Sequence, residues 1–132
     1  MDLTPDELAF LQDTFELARE GHTGQLVMRL DRGVPVNLTN DKGDTLLTLA
    51  AYHDHVDTVR ALLERGADHS RTNDRGQTAL GAAVFRRSHD GVRALLEAGA
   101  DPAEGSPSAV EVAVFFELPE MAELLEDKRD VS

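Results

Sequence analysis

A segment of 29 residues occurs twice in this chain at a constant offset of 33, and this repetition restricts the possible folds more than any other feature. The two copies read NDKGDTLLTLAAYHDHVDTVRALLERGAD, from Asn40 to Asp68, and NDRGQTALGAAVFRRSHDGVRALLEAGAD, from Asn73 to Asp101. Identical glycine, threonine, alanine and leucine positions recur in both. A fixed period of this length predicts units that stack on one another, because one such unit is too short to bury its apolar face alone.

Each copy carries the signals of two short helices followed by a loop. Three apolar residues recur at i, i+3 and i+4 in the second helix and form one face of it. These residues are Val59, Leu62 and Leu63 in the first copy and Val92, Leu95 and Leu96 in the second. Gly66 and Gly99 follow the last apolar position, where a left-handed helix end is expected. Thr45 and Thr78 stand where an N-cap hydroxyl is expected at the start of the first helix.

This period and pattern resemble the ankyrin repeat, whose signature runs D-x-x-G-x-T-P-L-H-x-A-A-x-x-G-H and then V-x-x-L-L-x-x-G-A-D. The same register extends back to a divergent unit at 16–37 and forward to SAVEVAVFFELPEMAELL at 108–125. The resemblance implies an all-α fold, a solenoid of four stacked helix-turn-helix units with projecting loops. The expected division of the single domain, 1–132, is a capping repeat at 4–38, repeats at 39–71, 72–104 and 105–127, and a tail at 128–132.

The ends of the chain depart from the two middle units. Residues Met1 to Glu20 predict a capping helix whose apolar residues pack on the stack; these are Leu8, Leu11, Phe15 and Ala18. The sequences TPDE, at 4–7, and SAVE, at 108–111, have the spacing of capping boxes. Arg29 occupies a position that leucine fills in the middle units. The Thr-Pro-Leu-His tetrad is intact in no unit, so the Thr/His hydrogen bond typical of the family is not expected.

Composition and charge exclude several classes of function. The formal net charge is -12, yet residues 21–100 hold ten acidic and ten basic side chains, so the acidic surplus lies at the two ends. Nucleic acids and anionic membranes require a basic stripe, and neither is expected as a partner. The lack of cysteine removes thiolate chemistry and cysteine-ligated metals. The acidic start and the absence of a long apolar run predict a cytoplasmic protein, and eleven arginines against two lysines suit a GC-rich, bacterial genome.

The segment AAYHDHVDTV, at 50–59, raises the question of a metal or catalytic site, because histidine and aspartate are common ligands and bases. Two residues that are two positions apart on a helix point about 200° apart, so His53 and His55 do not form the i, i+4 pair that binds zinc. In the ankyrin register, Asp54 and His55 fall at the Gly-His turn, where His22 recurs. No nucleophile elbow or phosphate loop is present. We therefore predict no catalytic residue, no metal and no cofactor.

The resemblance instead assigns a binding role to the residues after each Ala-Ala pair, since these positions and the loop tips form the concave face of ankyrin proteins. Four of the six aromatic residues fall there. The predicted partner-binding residues are Asp41, Lys42, Asp44, Tyr52, His53, Asp74, Arg75, Gln77, Phe85, Arg86, Phe115 and Phe116. Aromatic residues and arginine dominate interface energetics. The alternative for Phe115 and Phe116 is that they complete the core of the closing repeat.

The function that follows is binding of another protein, as an accessory or regulatory subunit with no catalysis of its own and as a monomer. Arg86 and Arg87, with the loop charges, make the middle of the face locally basic, which suits a partner with an acidic rim and an apolar centre. The alternative function is a small-molecule or metal-binding protein that uses His53, His55 and neighbouring carboxylates.

Overall fold

Eight α-helices account for the regular structure in the computed structural model, which describes residues 3–130 and the side chains as far as Glu126. In chain order they are α1 (Pro5–Glu20), α2 (Thr23–Asp31), α3 (Leu46–Tyr52), α4 (Val56–Glu64), α5 (Ala79–Phe85), α6 (His89–Glu97), α7 (Ala109–Phe115) and α8 (Pro119–Asp130). Between residues 3 and 130 there is no β-strand, only two isolated β-bridges in the loops.

The helices form two layers. Consecutive helices pair as antiparallel hairpins, α1 with α2, α3 with α4, α5 with α6 and α7 with α8. The first members stack in the order α1, α3, α5, α7 to form an inner layer, and the second members stack in the order α2, α4, α6, α8 to form an outer layer. Within the described residues, the main contacts of each hairpin are therefore with its neighbours along the stack. This arrangement confirms the predicted all-helical repeat solenoid.

Equivalent residues of the middle units occupy equivalent places in one continuous core. Leu62 and Leu95 are both 0% exposed, at the same position of α4 and α6. Ala50 and Ala83 are also fully buried, where the two helices of each unit meet and only a small side chain fits. The 33-residue register read from the sequence therefore coincides with the register of packing.

The helix ends follow the predicted capping chemistry. The hydroxyl of Thr45 accepts a hydrogen bond from the backbone N–H of Thr48, and the hydroxyl of Thr78 accepts one from Gly81. Both predicted capping boxes are present, at residues 4–7 and 108–111. These side chains satisfy amide groups that the first turn of a helix leaves unpaired. The N-cap and capping-box predictions are confirmed.

The first helix packs differently from the prediction. It begins at Pro5, because Thr4 is its N-cap, and Met1 and Asp2 lie outside the described residues. Its buried residues belong to its second half; these are Thr14, Phe15, Leu17 and Ala18. The prediction for Leu8 was wrong, since that side chain is 48% exposed. A helix of 16 residues is about 24 Å long and its inner neighbour α3, of 7 residues, about 10 Å, so the first turns of α1 extend past their support.

Arg29 connects the outer helix of the first unit to α1. Its guanidinium lies 4.3 Å from the centre of the Phe10 ring and donates to the carbonyl oxygen of Phe10 at 3.2 Å. It also donates to the hydroxyl of Thr14 at 3.0 Å and to Asp13 Oδ2 at 2.7 Å. At this position the middle units bury a leucine, but the end of a stack meets solvent, and an arginine stem can cover apolar surface there while its head stays polar.

The last helix, α8, continues through Asp130. Its buried residues include Met121 and Leu125, which pack against α6 and α7 and cover the end of the core. The predicted tail at 128–132 therefore begins within this helix, and Val131 and Ser132 lie outside the described residues.

Candidate partner-binding face

A row of aromatic rings crosses three units at the ends of the inner helices. Tyr52 ends α3, Phe85 ends α5, and Phe115 ends α7 with Phe116 next to it. The ring centres of Tyr52 and Phe85 are 5.9 Å apart and stacked, those of Phe85 and Phe116 are 5.3 Å apart, and those of Phe116 and Phe115 are 4.9 Å apart. His53 lies edge-on to Tyr52 at 5.2 Å. We call these five residues the aromatic ladder.

The ladder is exposed to a degree that increases toward the last unit. Tyr52 is half-buried and packs against the core, whereas Phe85 is 41% exposed, Phe116 46% and Phe115 79%. Phe115 and Phe116 therefore do not complete the core of the closing repeat, which is the alternative that the sequence left open. A contiguous aromatic surface that faces solvent is a feature of interaction sites in soluble proteins. The role of these residues in binding stays a prediction.

The loop tips beside the ladder are held in a fixed register. Asn73 Oδ1 accepts hydrogen bonds from the backbone N–H groups of Arg75 and Gln77, and Asn73 Nδ2 donates to Asp44 of the preceding loop at 2.8 Å. Backbone bonds join the loops directly, from Asp74 N to Lys42 O at 3.0 Å. Most predicted loop residues thus lie on one connected edge, and Asp44 and Gln77 are partly engaged within it.

Gly76 is required where the third loop meets the fourth. The backbone N–H of Ser106 donates to Gly76 O at 2.8 Å, and Gly76 has a φ of +78°. A Cβ on Gly76 would overlap the carbonyl oxygen of Ser106, whereas a Cβ on Gly66, at a similar φ of +83°, would meet nothing within 4 Å. Only glycine therefore allows this approach of the two loops.

Replacing Gly76 by alanine tests the loop register. Both Gly76→Ala and the control Gly66→Ala place a side chain at positive φ, so both should lose some stability. We expect Gly76→Ala to lose about 1–3 kcal/mol more than the control, because only its Cβ meets backbone. Urea unfolding followed by circular dichroism measures both. Equal losses of stability in the two variants would show that the contact between the third and fourth loops does not contribute to stability.

Two adjoining cavities lie between the loop edge and the inner helices. The first, which we call the aromatic groove, has a volume of about 410 Å³. The residues that line it are Tyr52, Arg75, Gln77, Gly81, Ala82, Phe85, Pro107, Val112, Phe115 and Phe116. The second, of about 420 Å³, is lined by polar loop residues and by Arg19. Tyr52, Arg75 and Gln77 line both, so the two cavities form one continuous depression.

The charges of the face are mixed, since Asp41, Asp44 and Asp74 lie at the loop tips beside Lys42 and Arg75. Between residues 3 and 126, the side chains of Lys42, Arg75 and Arg86 form no ion pair with an acidic group. Burial lowers the pKa of His53 below its usual value, and repulsion from Arg19, His55 and Arg86 lowers this pKa further against the opposing effect of Glu16. Burial is thus the main cause of the lowered pKa of His53, and the nearby cations add to it.

The two histidines of the central turn do not converge on a common point. The ring of His55 is hydrogen-bonded through Nε2 to the carbonyl oxygen of Arg19 at 2.8 Å. Gly21 makes room for this ring, since a Cβ there would lie 2.5 Å from His55 Nδ1. The ring of His53 turns toward Tyr52 instead, and its centre is 6.5 Å from that of His55. Within the described residues, no group of three or more histidine or acidic residues could hold a metal ion.

The turns between the helices form a different face. Asp54, Arg87 and Glu117 occupy equivalent turn positions at positive φ, where the family signature has glycine. Arg87 lines a polar groove of about 560 Å³ on this side, with Asp54 and Ser88. The interpretation of Arg87 as part of the basic concave centre was therefore wrong, because the left-handed backbone of the turn directs it away from the ladder.

Sequence reasoning missed Arg19, which lines the loop-side cavity. The signal was present, because Arg19 stands 33 residues before Tyr52 and is its equivalent in the first unit. The divergent sequence around it concealed this position. Val112 and Pro107 of the last unit also line the aromatic groove, and the shorter loop before α7 hid the position of Pro107.

Stacked helix hairpins with an exposed inner face define a helical-repeat binding scaffold. A family model described as ankyrin repeats, in three copies, matches residues 15–105, and the chain belongs to this family. It is similar to a curated ankyrin repeat protein of Pseudomonas aeruginosa, at 48% identity over 59 residues that cover 45% of this chain and 34% of that protein. The match therefore spans about a third of the relative's length. Ankyrin repeats are in general non-enzymatic modules for protein–protein interaction.

None of the helices within residues 3–130 is both long enough and apolar enough to cross a membrane.

Proposed function

We propose that this protein binds a partner protein through the aromatic ladder and the adjacent loop tips, as an accessory or regulatory subunit. The observation that carries the proposal is the ladder itself, whose exposed rings come from three successive units and contact one another. Exposed aromatic side chains have few rotamers and bury large areas on binding, so they contribute much affinity for a small loss of entropy.

The contributions of the predicted residues differ within this proposal. Phe85, Arg86, Phe115 and Phe116 are exposed and free to contact a partner. Tyr52 and His53 are half-buried and support the end of the ladder as well as facing the depression. Asp41, Lys42, Asp74 and Arg75 are exposed at the loop tips, whereas Asp44 and Gln77 also hold the loops together.

The rival function, a small-molecule or metal-binding protein built on His53 and His55, is favoured by no observation. One ring is engaged by the Arg19 carbonyl group, and the other packs on Tyr52. A ladder that extends over α3, α5 and α7 suits a macromolecular partner better than a small ligand. A cytoplasmic setting, a monomeric state and the absence of catalysis belong to the same proposal.

Alanine substitutions on the ladder test the proposal. A partner is first captured from the native organism by the wild-type chain, and its affinity for purified variants is then measured by calorimetry. Phe85→Ala and Arg86→Ala should each weaken binding by about 2 kcal/mol or more, as central interface residues do. Their melting temperatures should change little, because both side chains are exposed. Tyr52→Ala should weaken binding and also lower stability, since that ring packs on the core.

Arg60→Ala is the matched control, because Arg60 is exposed on the outer helix α4. It should alter neither affinity nor melting temperature. A partner that binds Phe85→Ala and Phe116→Ala as tightly as the wild type would place the binding surface elsewhere and contradict the proposal.

A further inference from the structure

The aromatic groove has an unusual charge composition for a chain with so many acidic residues. Its lining includes one charged residue, Arg75, and no aspartate or glutamate. The remaining wall is formed by aromatic rings, small residues of α5 and the side chains of Pro107 and Val112. The groove is therefore an apolar site with a single cation at its edge.

Arg75 is held at this edge by its backbone while its head group stays unpaired. Its N–H donates to Asn73 Oδ1 at 2.9 Å, which fixes the position of the residue in the loop. Within the described side chains, its guanidinium forms no ion pair with an acidic group and takes no part in the hydrogen bonds that join the loops. Because Arg75 also lines the neighbouring cavity, it lies near the middle of the whole depression.

The charges around Arg75 differ between the two cavities, because Asp41 and Asp44 line the loop-side cavity together with Lys42, whereas no acidic residue lines the aromatic groove. Lys42 lines the neighbouring cavity, and Arg86 follows Phe85 at the end of α5. Within the aromatic groove itself, a cationic segment would meet Arg75 with no acidic lining residue to offset it. A carboxylate would instead pair with the guanidinium beside an apolar wall, where such pairing is stronger.

We infer that the aromatic groove binds an acidic segment of a partner protein in which a large apolar side chain stands beside a carboxylate. The apolar side chain packs between Tyr52, Phe85 and Phe116, and the carboxylate pairs with Arg75. A long polyanion is disfavoured, because it would run into the acidic ends of the chain, which carry the whole net charge of -12. This inference rests on the proposed function and specifies the chemistry of the partner.

A peptide selection tests the inference without knowledge of the natural partner. A displayed library of random ten-residue peptides is selected on the full chain, and on the variants Arg75→Glu and Phe116→Ala. The wild type should enrich peptides in which Asp or Glu adjoins Phe, Leu, Tyr or Trp. A synthetic peptide of the enriched sequence should bind Arg75→Glu at least about tenfold more weakly by calorimetry.

Charge reversal on the peptide supplies the second readout. Replacing the carboxylate of the enriched peptide by lysine should restore binding to Arg75→Glu and abolish binding to the wild type. Arg93→Glu is the control, because Arg93 is exposed on the outer helix α6, and it should change neither the enrichment nor the affinity. Unchanged melting temperatures of the three variants show that the fold is retained.

The outcomes separate the two proposals. Enriched peptides that depend on Phe116 but are neutral or basic, or that bind Arg75→Glu as well as the wild type, would overturn the inference and leave the proposed function intact. A selection in which no enriched peptide depends on Phe116 would count against the proposed function, and with it the inference.

Discussion

A chain that begins at Gly21, with α1 removed, should unfold or aggregate. Phe15, Leu17 and Ala18 of α1 cover one side of α3, whose own leucines would face water without them. Arg29 would also lose its contacts with Phe10, Asp13 and Thr14, which all lie on α1. A solenoid whose end is uncapped exposes a continuous apolar surface, which favours association. Size-exclusion chromatography and circular dichroism melts measure the outcome.

The control for this deletion is Leu8→Gln, on the part of α1 that extends beyond its support. Because Leu8 is largely exposed, this change should alter the free energy of unfolding by no more than about 0.5 kcal/mol. A truncated chain that stays monomeric and melts at the wild-type temperature would show that α1 is an appended arm with no capping role.

Leu62→Ala and Leu95→Ala should each lower the free energy of unfolding by about 2–5 kcal/mol. Both leucines are 0% exposed, at equivalent positions of α4 and α6, and each truncation leaves a cavity that rigid helix packing fills only in part. A domain of this size has a total stability of about 5–15 kcal/mol, so either change removes a large fraction of it. Urea titrations followed by circular dichroism provide the measurement.

Leu63→Ala serves as the comparison on the same helix. Leu63 is half-buried, so its truncation should cost less than that of Leu62, its immediate neighbour. Similar losses at Leu62 and Leu95 would reflect the common register of the two units. Melting curves that do not change for either variant would contradict the packing described for the whole stack.

The fold could be predicted because the features that determine it are local and repeated. Within each unit, local chemistry explains the buried leucine, the N-cap hydroxyl and the alanines between the paired helices. Leu62 and Thr45 show this in one unit, and Leu95 and Thr78 show it in the next. When such signals recur at a fixed offset, each copy supports the interpretation of the other. Stacking then follows, since a single helix pair cannot bury its own apolar face.

The errors lie where a residue's environment depends on elements that are not repeated. The exposure of Leu8 results from the unequal lengths of α1 and α3, which the sequence of α1 alone does not reveal. The direction of Arg87 is a separate case, because its turn recurs at positive φ in three units. None of the three residues there is the glycine that would indicate this backbone conformation from sequence. Arg29 was recognised as a departure, but its contacts with Phe10 and Asp13 require the packed pair of helices.

The aromatic ladder takes its rings from three separate units. Binding of a partner to the ladder is therefore coupled to the local unfolding of those units. In a repeat array, terminal units open more readily than the middle, and their amides exchange with solvent accordingly. A partner that spans Tyr52, Phe85 and Phe116 would have to leave before the last unit could open, so hydrogen exchange in α7 and α8 should slow with occupancy. The contact area of the partner would thereby determine how cooperatively the array unfolds.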